Sequence, residues 1–193
     1  MALMPDRLPA GEIELCRWHS HYVDEINAAV ESSYPELHRW MAWAQTRPTG
    51  EAMSAVIADG VASFEADREW QYVLREVASD ELVGGAGLHR RVGPDGLEIG
   101  YWVRTDRTDR TDRTDRGYAT SAARALTDAA VALPLGFERV EIHMDQANLA
   151  SAAVPRKLGY RLVLEEDREV RAPGHSGRGF IRAVERSSWL QQS

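Results

Sequence analysis

Two short segments in the second half of the chain carry residue types suited to ligand chemistry, and the first follows a charged run. Gly117-Tyr118-Ala119-Thr120 follows Arg116 and opens a predicted helix. A glycine at a helix start lets backbone N–H groups converge on one point, and the helix dipole favours an anion there. The segment therefore predicts a phosphate- or pyrophosphate-binding helix N-terminus, to which Arg116 would add charge. A plain helix start is the alternative.

The second segment begins at Asn148-x-x-Ser151 and ends in Lys157-Leu158-Gly159-Tyr160. Asn148 and Ser151 are three residues apart, so on a helix both side chains face the same side. Asn148 also suits an N-cap, and Gly159 suits a helix C-terminus. Ser151 is equally interpretable as a small surface residue of an alanine-rich helix.

Several function classes lose support from what the sequence lacks. It contains neither GxxxxGK[ST] nor GxGxxG, so nucleotide hydrolysis and dinucleotide redox chemistry are not indicated. Cys16 is the only cysteine, which excludes an intrachain disulfide and a cysteine-based zinc site. The formal net charge is −7, from 23 Lys+Arg and 30 Asp+Glu. This balance argues against non-specific binding to nucleic acid or to an anionic membrane, and it leaves a local basic patch open.

The order of predicted elements places both segments between strands and helices of a mixed fold. We predict one domain over residues 13–193, after an irregular lead-in over residues 1–12 that contains two prolines and a glycine. Alternation of apolar and polar residues predicts seven strands, at 13–18, 70–77, 81–91, 97–103, 139–144, 161–165 and 180–186. Helical spacing predicts helices, at 22–32, from Thr49 to about 64, at 117–133 and at 148–158. The strands at 70–77, 81–91 and 97–103 are predicted to form an antiparallel meander, after which strands and helices alternate. This order indicates a single α+β or mixed α/β domain.

Helical spacing also predicts which faces of two helices are buried. For the helix after Thr49, the predicted apolar face consists of Met53, Val56, Ile57 and Phe64. For the helix at 117–133, it is a stripe rich in alanine, which predicts very close packing on a sheet.

Taken together, these motifs resemble the GCN5-related N-acetyltransferases (GNAT superfamily). The branch of the ribosomal-protein alanine and serine N-terminal acetyltransferases (RimJ/RimL-like) is the closer match. Beyond the two segments above, the resemblance rests on the stretches Ser33–Leu37, Trp40–Trp43, Glu98–Val103 and Val154–Gly159. It extends from about residue 13 to Trp189, with the elements in matching order.

The resemblance implies a fold and a cosubstrate. The fold would be a mostly antiparallel, seven-stranded sheet flanked by helices and splayed between its fourth strand (97–103) and fifth strand (139–144). Acetyl-CoA would lie in the splay, its pantetheine arm pairing with the backbone of Tyr101, Trp102 and Val103. Its pyrophosphate would bind the N–H groups of residues 116–120, and Asn148 would hydrogen-bond the arm near the thioester. No metal is implied.

The chemistry implied is acetyl transfer to a primary amine by direct attack on the thioester, so Cys16 needs no role. Glu98 could accept the proton that the ammonium must lose, directly or through water. A backbone N–H of the same strand, of Tyr101 or Trp102, could polarise the thioester carbonyl. Ser151 could protonate the departing CoA thiolate, a role for which Tyr160 is the less favoured candidate.

Several of these residues can also be interpreted without any catalytic role. Glu98 could instead turn outward to water. His143 and His89 are interpreted as structural histidines rather than as reacting groups. By resemblance, Trp40 and Trp43 lie near the acceptor site, where packing is their principal expected role.

The charged run between the fourth strand and the next helix departs from the family pattern. Thr-Asp-Arg repeats four times from Thr105 to Arg116, and Thr114 stands where the family has glutamine or arginine. From Arg104 to Arg116 there are five Arg and four Asp, a net charge of +1. The run looks roughly two triplets longer than usual. It could loop outward and leave the phosphate site intact, shift the register and weaken binding, or lend arginines to the phosphates.

Three functions remain open from the sequence. The first is acetylation of a protein N-terminal α-amine, with ribosomal proteins as the expected substrates. The second is acetylation of a small amine such as an antibiotic, polyamine or amino acid. The third is a CoA-binding or partner-binding module without catalysis. No membrane span or leader is recognised, so a cytoplasmic location is expected, and a homodimer is left open.

Overall fold

The computed structural model describes residues 3–105 and 117–191, and within them eight strands and six helices follow one another along the chain. The strands are β1 (Arg7–Ala10), β2 (Ile13–Arg17), β3 (Glu69–Glu76), β4 (Leu82–His89), β5 (Gly96–Val103), β6 (Arg139–Asp145), β7 (Arg161–Asp167) and β8 (Arg178–Glu185). The helices are α1 (Val23–Ser32), α2 (Tyr34–Trp40), α3 (Gly50–Glu65), α4 (Tyr118–Ala132), α5 (Leu149–Lys157) and α6 (Arg186–Leu190).

All eight strands form one sheet in the order β1-β2-β3-β4-β5-β6-β8-β7. Every neighbouring pair is antiparallel except β5 and β6, which are parallel. Their pairing extends only from Gly96↔Arg139 to Glu98↔Glu141, although both strands continue. We call the gap between Ile99–Val103 of β5 and Ile142–Asp145 of β6 the fork. The predicted fold class, including the splay between these two strands, is confirmed.

The two faces of the sheet pack against different helices, as strand alternation requires. Leu15 and Leu74 face the larger core cluster, which also contains the buried alanines of α4. Cys16, which follows Leu15 on β2, and Val73, which precedes Leu74 on β3, point to the opposite face. There they pack in a second cluster that includes residues of α1 and α3. The predicted alanine stripe of α4 is buried as expected, because alanine lets the helix approach the sheet closely.

The N-terminal segment differs from its prediction as an irregular lead-in, because β1 lies within it and pairs with β2. This strand raises the number of strands from the predicted seven to eight. Pro9 concealed it, since proline cannot donate to a sheet ladder. β1 is an edge strand, where a proline can be accommodated. Leu8 and Ala10 of the same strand pack against the larger core cluster.

Helix α3 begins as the sequence predicted, with the hydroxyl of Thr49 accepting a hydrogen bond from the N–H of Ala52 at 3.2 Å. Its buried face contains Met53, Ile57 and Phe64. The prediction for Val56 was wrong, because 55% of that residue is exposed to solvent. Over the described ranges, no helix is long and apolar enough to cross a membrane.

Candidate active site

Successive side chains of β5 point to opposite faces of the sheet beside the fork. Leu97 and Ile99 are buried in the core beneath α4. Glu98, between them, turns to the opposite face and is only 8% exposed. Because Glu98 is the last residue of β5 that pairs with β6, its carboxylate lies at the closed end of the fork. The alternative prediction, that Glu98 points out to bulk water, does not fit this burial.

The carboxylate of Glu98 is held by a two-pronged ion pair. Arg91 donates from Nε to Oε2 at 2.7 Å and from Nη2 to Oε1 at 2.8 Å. Burial by itself raises the pKa of Glu98, but the hydrogen bonds from Arg91 and the nearby charge of His143 outweigh it, and the net pKa is lowered. Glu98 is therefore a stable anion at neutral pH and a weak base on its own.

Two histidines flank Glu98, and a second carboxylate holds each of them. On β6, Nε2 of His143 lies 2.6 Å from Oε2 of Glu141, and its Nδ1 lies 3.8 Å from Oε2 of Glu98. On β4, His89 is directly opposite Glu98, and its Nδ1 lies 2.9 Å from Oε2 of Glu69. The hydrogen bond from His89 lowers the pKa of Glu69. A polar row thus crosses four adjacent strands, β3 to β6, at the closed end of the fork. It consists of Glu69, His89, Glu98, Glu141 and His143.

Asn148 and Ser151 both lie at the N-terminal end of α5, as their spacing in the sequence predicted. The side-chain oxygen of Asn148 accepts a hydrogen bond from the N–H of Ser151 at 3.0 Å, which makes Asn148 the N-cap. The hydroxyl of Tyr101 donates to the backbone oxygen of Ser151 at 3.0 Å and lies 3.3 Å from its Oγ. Burial raises the pKa of Tyr101 to about 12, so its hydroxyl stays protonated. The structure therefore joins β5 to α5 through Tyr101 and Ser151.

Tyr160 lies apart from this pair. Its hydroxyl is buried and lies 2.6 Å from the hydroxyl of Thr127, on α4. Burial raises the pKa of Tyr160 above its ordinary value. The lower weight given to Tyr160 as a proton donor stays a prediction.

At the start of α4, Gly117 takes the N-cap position with φ of +68°, a left-handed conformation that glycine adopts without strain. It offers no side-chain cap, so helix geometry leaves the first-turn N–H groups, including those of Ala119 and Thr120, without an acceptor inside the helix. The side chain of Tyr118 is used structurally, because its hydroxyl donates to buried Glu76 at 2.6 Å. Arg116 lies outside the described residues.

Helix α2 crosses the open end of the fork. Beside its first turn, Ser33 Oγ accepts a hydrogen bond from the N–H of Thr105, just beyond β5, at 3.1 Å. At its last turn, the N–H of Gly174 donates to the oxygen of Arg39 at 2.8 Å. His175 Nε2 lies 2.9 Å from the oxygen of Trp40. The connection between β7 and β8 therefore holds the far end of α2.

That connection is in turn fixed to β6. The N–H and hydroxyl of Ser176 donate to the carboxylate of Asp145, the last residue of β6, at 3.0 and 2.8 Å. Helix α2 is consequently fastened beyond both strands that bound the fork.

The two tryptophans assigned to the acceptor site have different surroundings. Trp40 is half-buried, donates from Nε1 to Glu36 at 2.8 Å and packs beside Gly174. Trp43 is 56% exposed. Contact of either with an acceptor stays a prediction.

Cys16 is buried in the second core cluster, and burial raises the pKa of its thiol. Over residues 3–105 and 117–191, no group of three or more His, Cys, Asp or Glu side chains could hold a metal ion.

A family model described as an acetyltransferase (GNAT) domain matches residues 13–161. The chain belongs to the GNAT acetyltransferase family. This match spans both the polar row at the closed end of the fork and the N-terminus of α4, and it confirms the predicted class of acyl-transfer enzyme. A search of curated proteins finds no significant match.

Solved structures share the GNAT fold over nearly the whole chain. RimL, a ribosomal α-N-protein acetyltransferase in complex with coenzyme A, is 17% identical with a TM-score of 0.80, covering 93% of this chain and 97% of that one. Mycobacterium smegmatis RimJ is 21% identical with a TM-score of 0.74, covering 93% and 84%. The microcin C7 self-immunity acetyltransferase MccE, in complex with acetyl-CoA and AMP, is 16% identical with a TM-score of 0.80, covering 95% and 98%.

Sequence reasoning missed several residues of this GNAT site. Arg91, Glu69, Glu141 and the hydroxyl of Tyr101 take part in it only through contacts across strands or between β5 and α5. Charged residues alternating on a predicted strand were a usable signal for Glu141, whereas Glu69 precedes the strand predicted at 70–77. Arg91 ends the predicted third strand, and nothing in the sequence pairs it with Glu98.

Substitutions at Asn148 can separate its capping of α5 from its predicted contact with acetyl-CoA. Asn148→Ala removes the N-cap of α5 and should lower the free energy of unfolding by about 1 kcal/mol, measured by urea denaturation. Asn148→Ser keeps a capping oxygen but shortens the side chain, so stability should be retained while acetyl-CoA binding weakens in calorimetry. Unchanged binding by Asn148→Ser would leave Asn148 with the capping role alone.

Proposed function

We propose that this protein is an acetyl-CoA-dependent N-acetyltransferase that modifies the N-terminal α-amine of a protein, with ribosomal proteins as the expected substrates. The observation that carries the proposal is the fork, which joins an unpaired strand edge, a buried carboxylate and a helix N-terminus in one path. Family membership supports the acetyl transfer. The likeness to RimL and RimJ supports the choice of acceptor.

The residues present suit an extended cosubstrate with a phosphate at one end. From Ile99 to Val103, the β6 side of β5 has no paired strand among the described residues, so a pantetheine arm can take the place of a strand. At the start of α4, the first-turn N–H groups and the helix dipole suit a pyrophosphate. Asn148 and Ser151 lie on the helix that follows β6 and would contact the arm near its thioester. Neighbours crystallised with CoA or acetyl-CoA support this assignment.

The reacting groups would meet at the closed end of the fork. Glu98 would attract the acceptor's ammonium group and receive one of its protons, directly or through water. A backbone N–H of Tyr101 or Trp102 would polarise the thioester carbonyl. The hydroxyl of Ser151, in contact with that of Tyr101, would protonate the thiolate as it leaves.

The acceptor would enter beneath α2. Because α2 is fastened beyond both strands of the fork, a path beneath it would suit the narrow end of an extended chain. Trp40 and Trp43 would border it. An N-terminal α-amine has a pKa of about 8, so a sizeable fraction is already deprotonated at neutral pH.

A small amine is the second candidate acceptor, and the likeness to MccE favours keeping it. That neighbour matches with the same TM-score as RimL and holds AMP together with acetyl-CoA. The acceptor-facing segments do not decide between the two, because α2 and the β7–β8 connection would border either substrate.

A thiol-release assay tests the proposed function. With acetyl-CoA, peptides beginning with Ala or Ser should release CoA and gain an N-terminal acetyl group by mass spectrometry. The same peptides with a blocked N-terminus should be inert. Turnover of small amines alone would favour the second candidate. A thermal shift with CoA but no turnover of any amine would identify a binding module. Sedimentation of the same sample would test for a homodimer.

A further inference from the structure

Arg168 follows β7 and reaches back across the sheet towards the fork. Its stem lies against Gly179 of β8, where a Cβ built on the glycine would collide with Cδ of the arginine. Its Nη2 lies 3.3 Å from Nδ1 of His143 on β6. Because Glu98 pairs with Glu141, two residues before His143, the side chains of Glu98 and His143 share one face of the sheet. Arg168 therefore places its guanidinium on the face that carries Glu98.

Two partners of opposite character fix how His143 contacts Arg168. An ionised carboxylate only accepts hydrogen bonds, so Nε2 of His143, 2.6 Å from Oε2 of Glu141, must carry a proton. A guanidinium only donates, so Nδ1 of His143 accepts the hydrogen bond from Nη2 of Arg168. The imidazole is therefore neutral, and it joins Glu141 to Arg168 in one chain of hydrogen bonds that holds the guanidinium beside the fork.

The guanidinium of Arg168 still has donors to offer a ligand. Nε donates to Oε1 of Glu166 at 2.7 Å, and Nη2 is shared between that oxygen and His143. Within the part of the chain that the structure describes, Nη1 has no hydrogen-bond partner. The side chain is 34% exposed, so a molecule that enters from solvent can reach it.

The separation between Arg168 and Glu98 suits an α-aminoacyl group. Oε2 of Glu98 and Nη2 of Arg168 lie 3.8 and 3.3 Å from the same atom, Nδ1 of His143, so they are at most about 7 Å apart. Nη1 belongs to the same planar group and is at most about 2 Å further away. Two hydrogen bonds of about 2.9 Å and an N–Cα–C=O unit, whose nitrogen and oxygen are about 3 Å apart, together span about 6–9 Å. One aminoacyl unit can therefore contact both side chains.

We propose that Arg168 recognises the carbonyl oxygen of the acceptor's first residue while Glu98 holds the α-ammonium group of that residue. This role rests on the proposed function and deepens it, because it names the group beside the amine that the site selects. A carboxylate and a guanidinium complement an ammonium group and a carbonyl oxygen. A polyamine would instead bring a second positive charge towards Arg168 and be rejected. Glu141 and His143 act through Arg168 and are positioning residues.

A peptide that differs in one atom tests this contact. Replacing the first carbonyl oxygen of an Ala-peptide by sulfur gives a thioamide of similar shape that accepts hydrogen bonds weakly. In wild type, kcat/KM for the thioamide peptide should be about tenfold lower than for the ordinary peptide. Arg168→Met keeps the stem over Gly179 but removes every donor. Its kcat/KM for the ordinary peptide should fall about tenfold, and the two peptides should differ by less than about twofold, with KM for acetyl-CoA unchanged.

Arg178→Gln is the matched control. It removes another arginine–carboxylate pair, the one with Asp167 at 2.8 Å, but Arg178 precedes Gly179 on β8 and points to the opposite face. This variant should match wild type with both peptides. A thioamide effect of the same size in wild type and in Arg168→Met, or no effect in wild type, would overturn the contact.

A second variant decides the matter if Arg168→Met does not fold. His143→Leu removes the acceptor that holds Nη2 of Arg168, while Glu141 keeps its ion pair with Arg139 at 2.6 Å. The thioamide effect should then shrink to less than about threefold, and a full tenfold effect would contradict the arrangement. Turnover by wild type without a thioamide effect would overturn this inference alone. Absence of turnover with every peptide would overturn the proposed function and this inference with it.

Discussion

Glu98→Gln should lower kcat for acetyl transfer by about 100-fold or more, because it removes the carboxylate at the closed end of the fork. Glutamine has nearly the same shape, so the loss would reflect the missing charge and the missing route for the proton. KM for acetyl-CoA should change little, since Glu98 lies on the face opposite Ser151. Steady-state kinetics with an N-terminal Ala or Ser peptide measure both quantities.

The same substitution should also change how stability depends on pH. The folded-state pKa of Glu98 lies below its unfolded value of about 4.3, so its ion pair stabilises the fold above that pH. The contribution is lost as the pH falls through the lowered folded-state pKa. In Glu98→Gln, this part of the acid sensitivity should be absent. At neutral pH the variant should lose about 1 kcal/mol, because Arg91, 54% exposed, can turn to water.

A matched control is Glu25→Gln, which weakens another arginine–carboxylate pair, the one with Arg75 at 2.9 Å. Glu25 lies on α1, away from the polar row, so its loss should leave kcat unchanged. A similar fall in kcat for both variants would point to general destabilisation and refute the specific role of Glu98.

Gly84→Ala should destabilise the fold by about 2 kcal/mol or more and weaken acetyl-CoA binding at the same time. A Cβ at position 84 would lie 2.2 Å from the backbone oxygen of Trp102. Backbone cannot yield to this contact as a flexible side chain would, so β4 and β5 must move apart. Trp102 belongs to the strand segment assigned to the pantetheine arm, so the displacement reaches the fork. Thermal unfolding and calorimetry with CoA measure the two effects.

Gly50→Ala is the control for this prediction. Nothing lies within 4 Å of a Cβ built at position 50, in the first turn of α3. The change should be neutral or slightly stabilising, because alanine restricts the unfolded chain more than glycine does. If Gly84→Ala proved as stable as Gly50→Ala, the close approach of β4 and β5 would not be a constraint on the fork.

Local patterns predicted the elements of this fold well, because alternation and helical spacing report burial directly. The alanine stripe of α4 and the Thr49 and Asn148 caps were all visible in the sequence. β1 escaped because Pro9 is read as a strand breaker, and only its place at the sheet edge makes it acceptable. Val56 was misassigned because spacing alone does not show which edge of a helical stripe faces water.

The site was predictable only in part, for a different reason. Glu98, Asn148 and Ser151 were proposed from their motifs and the resemblance, and their roles stay predictions. Arg91 and Glu141 join this region only through pairing between strands. Such contacts depend on register, which the local sequence of a single strand does not encode. The hydroxyl of Tyr101 shows the same limit, since Ser151 is 50 positions further along the chain.

The fork also bears on how this protein avoids aggregation. An unpaired strand edge can template pairing with another chain. Over the described residues this sheet has two outer edges, and two further edges face each other across the fork. The two outer edges are blunted locally, by Pro9 in β1 and by a register shift near Leu162 in β7. On the proposed function, the fork edge Ile99–Val103 must stay available to a ligand, so neither device can be used there. Helices α4 and α5 instead pack beside it on one face, and α2 is fastened beyond its open end. This arrangement would leave room for a slender guest but not for a second folded sheet.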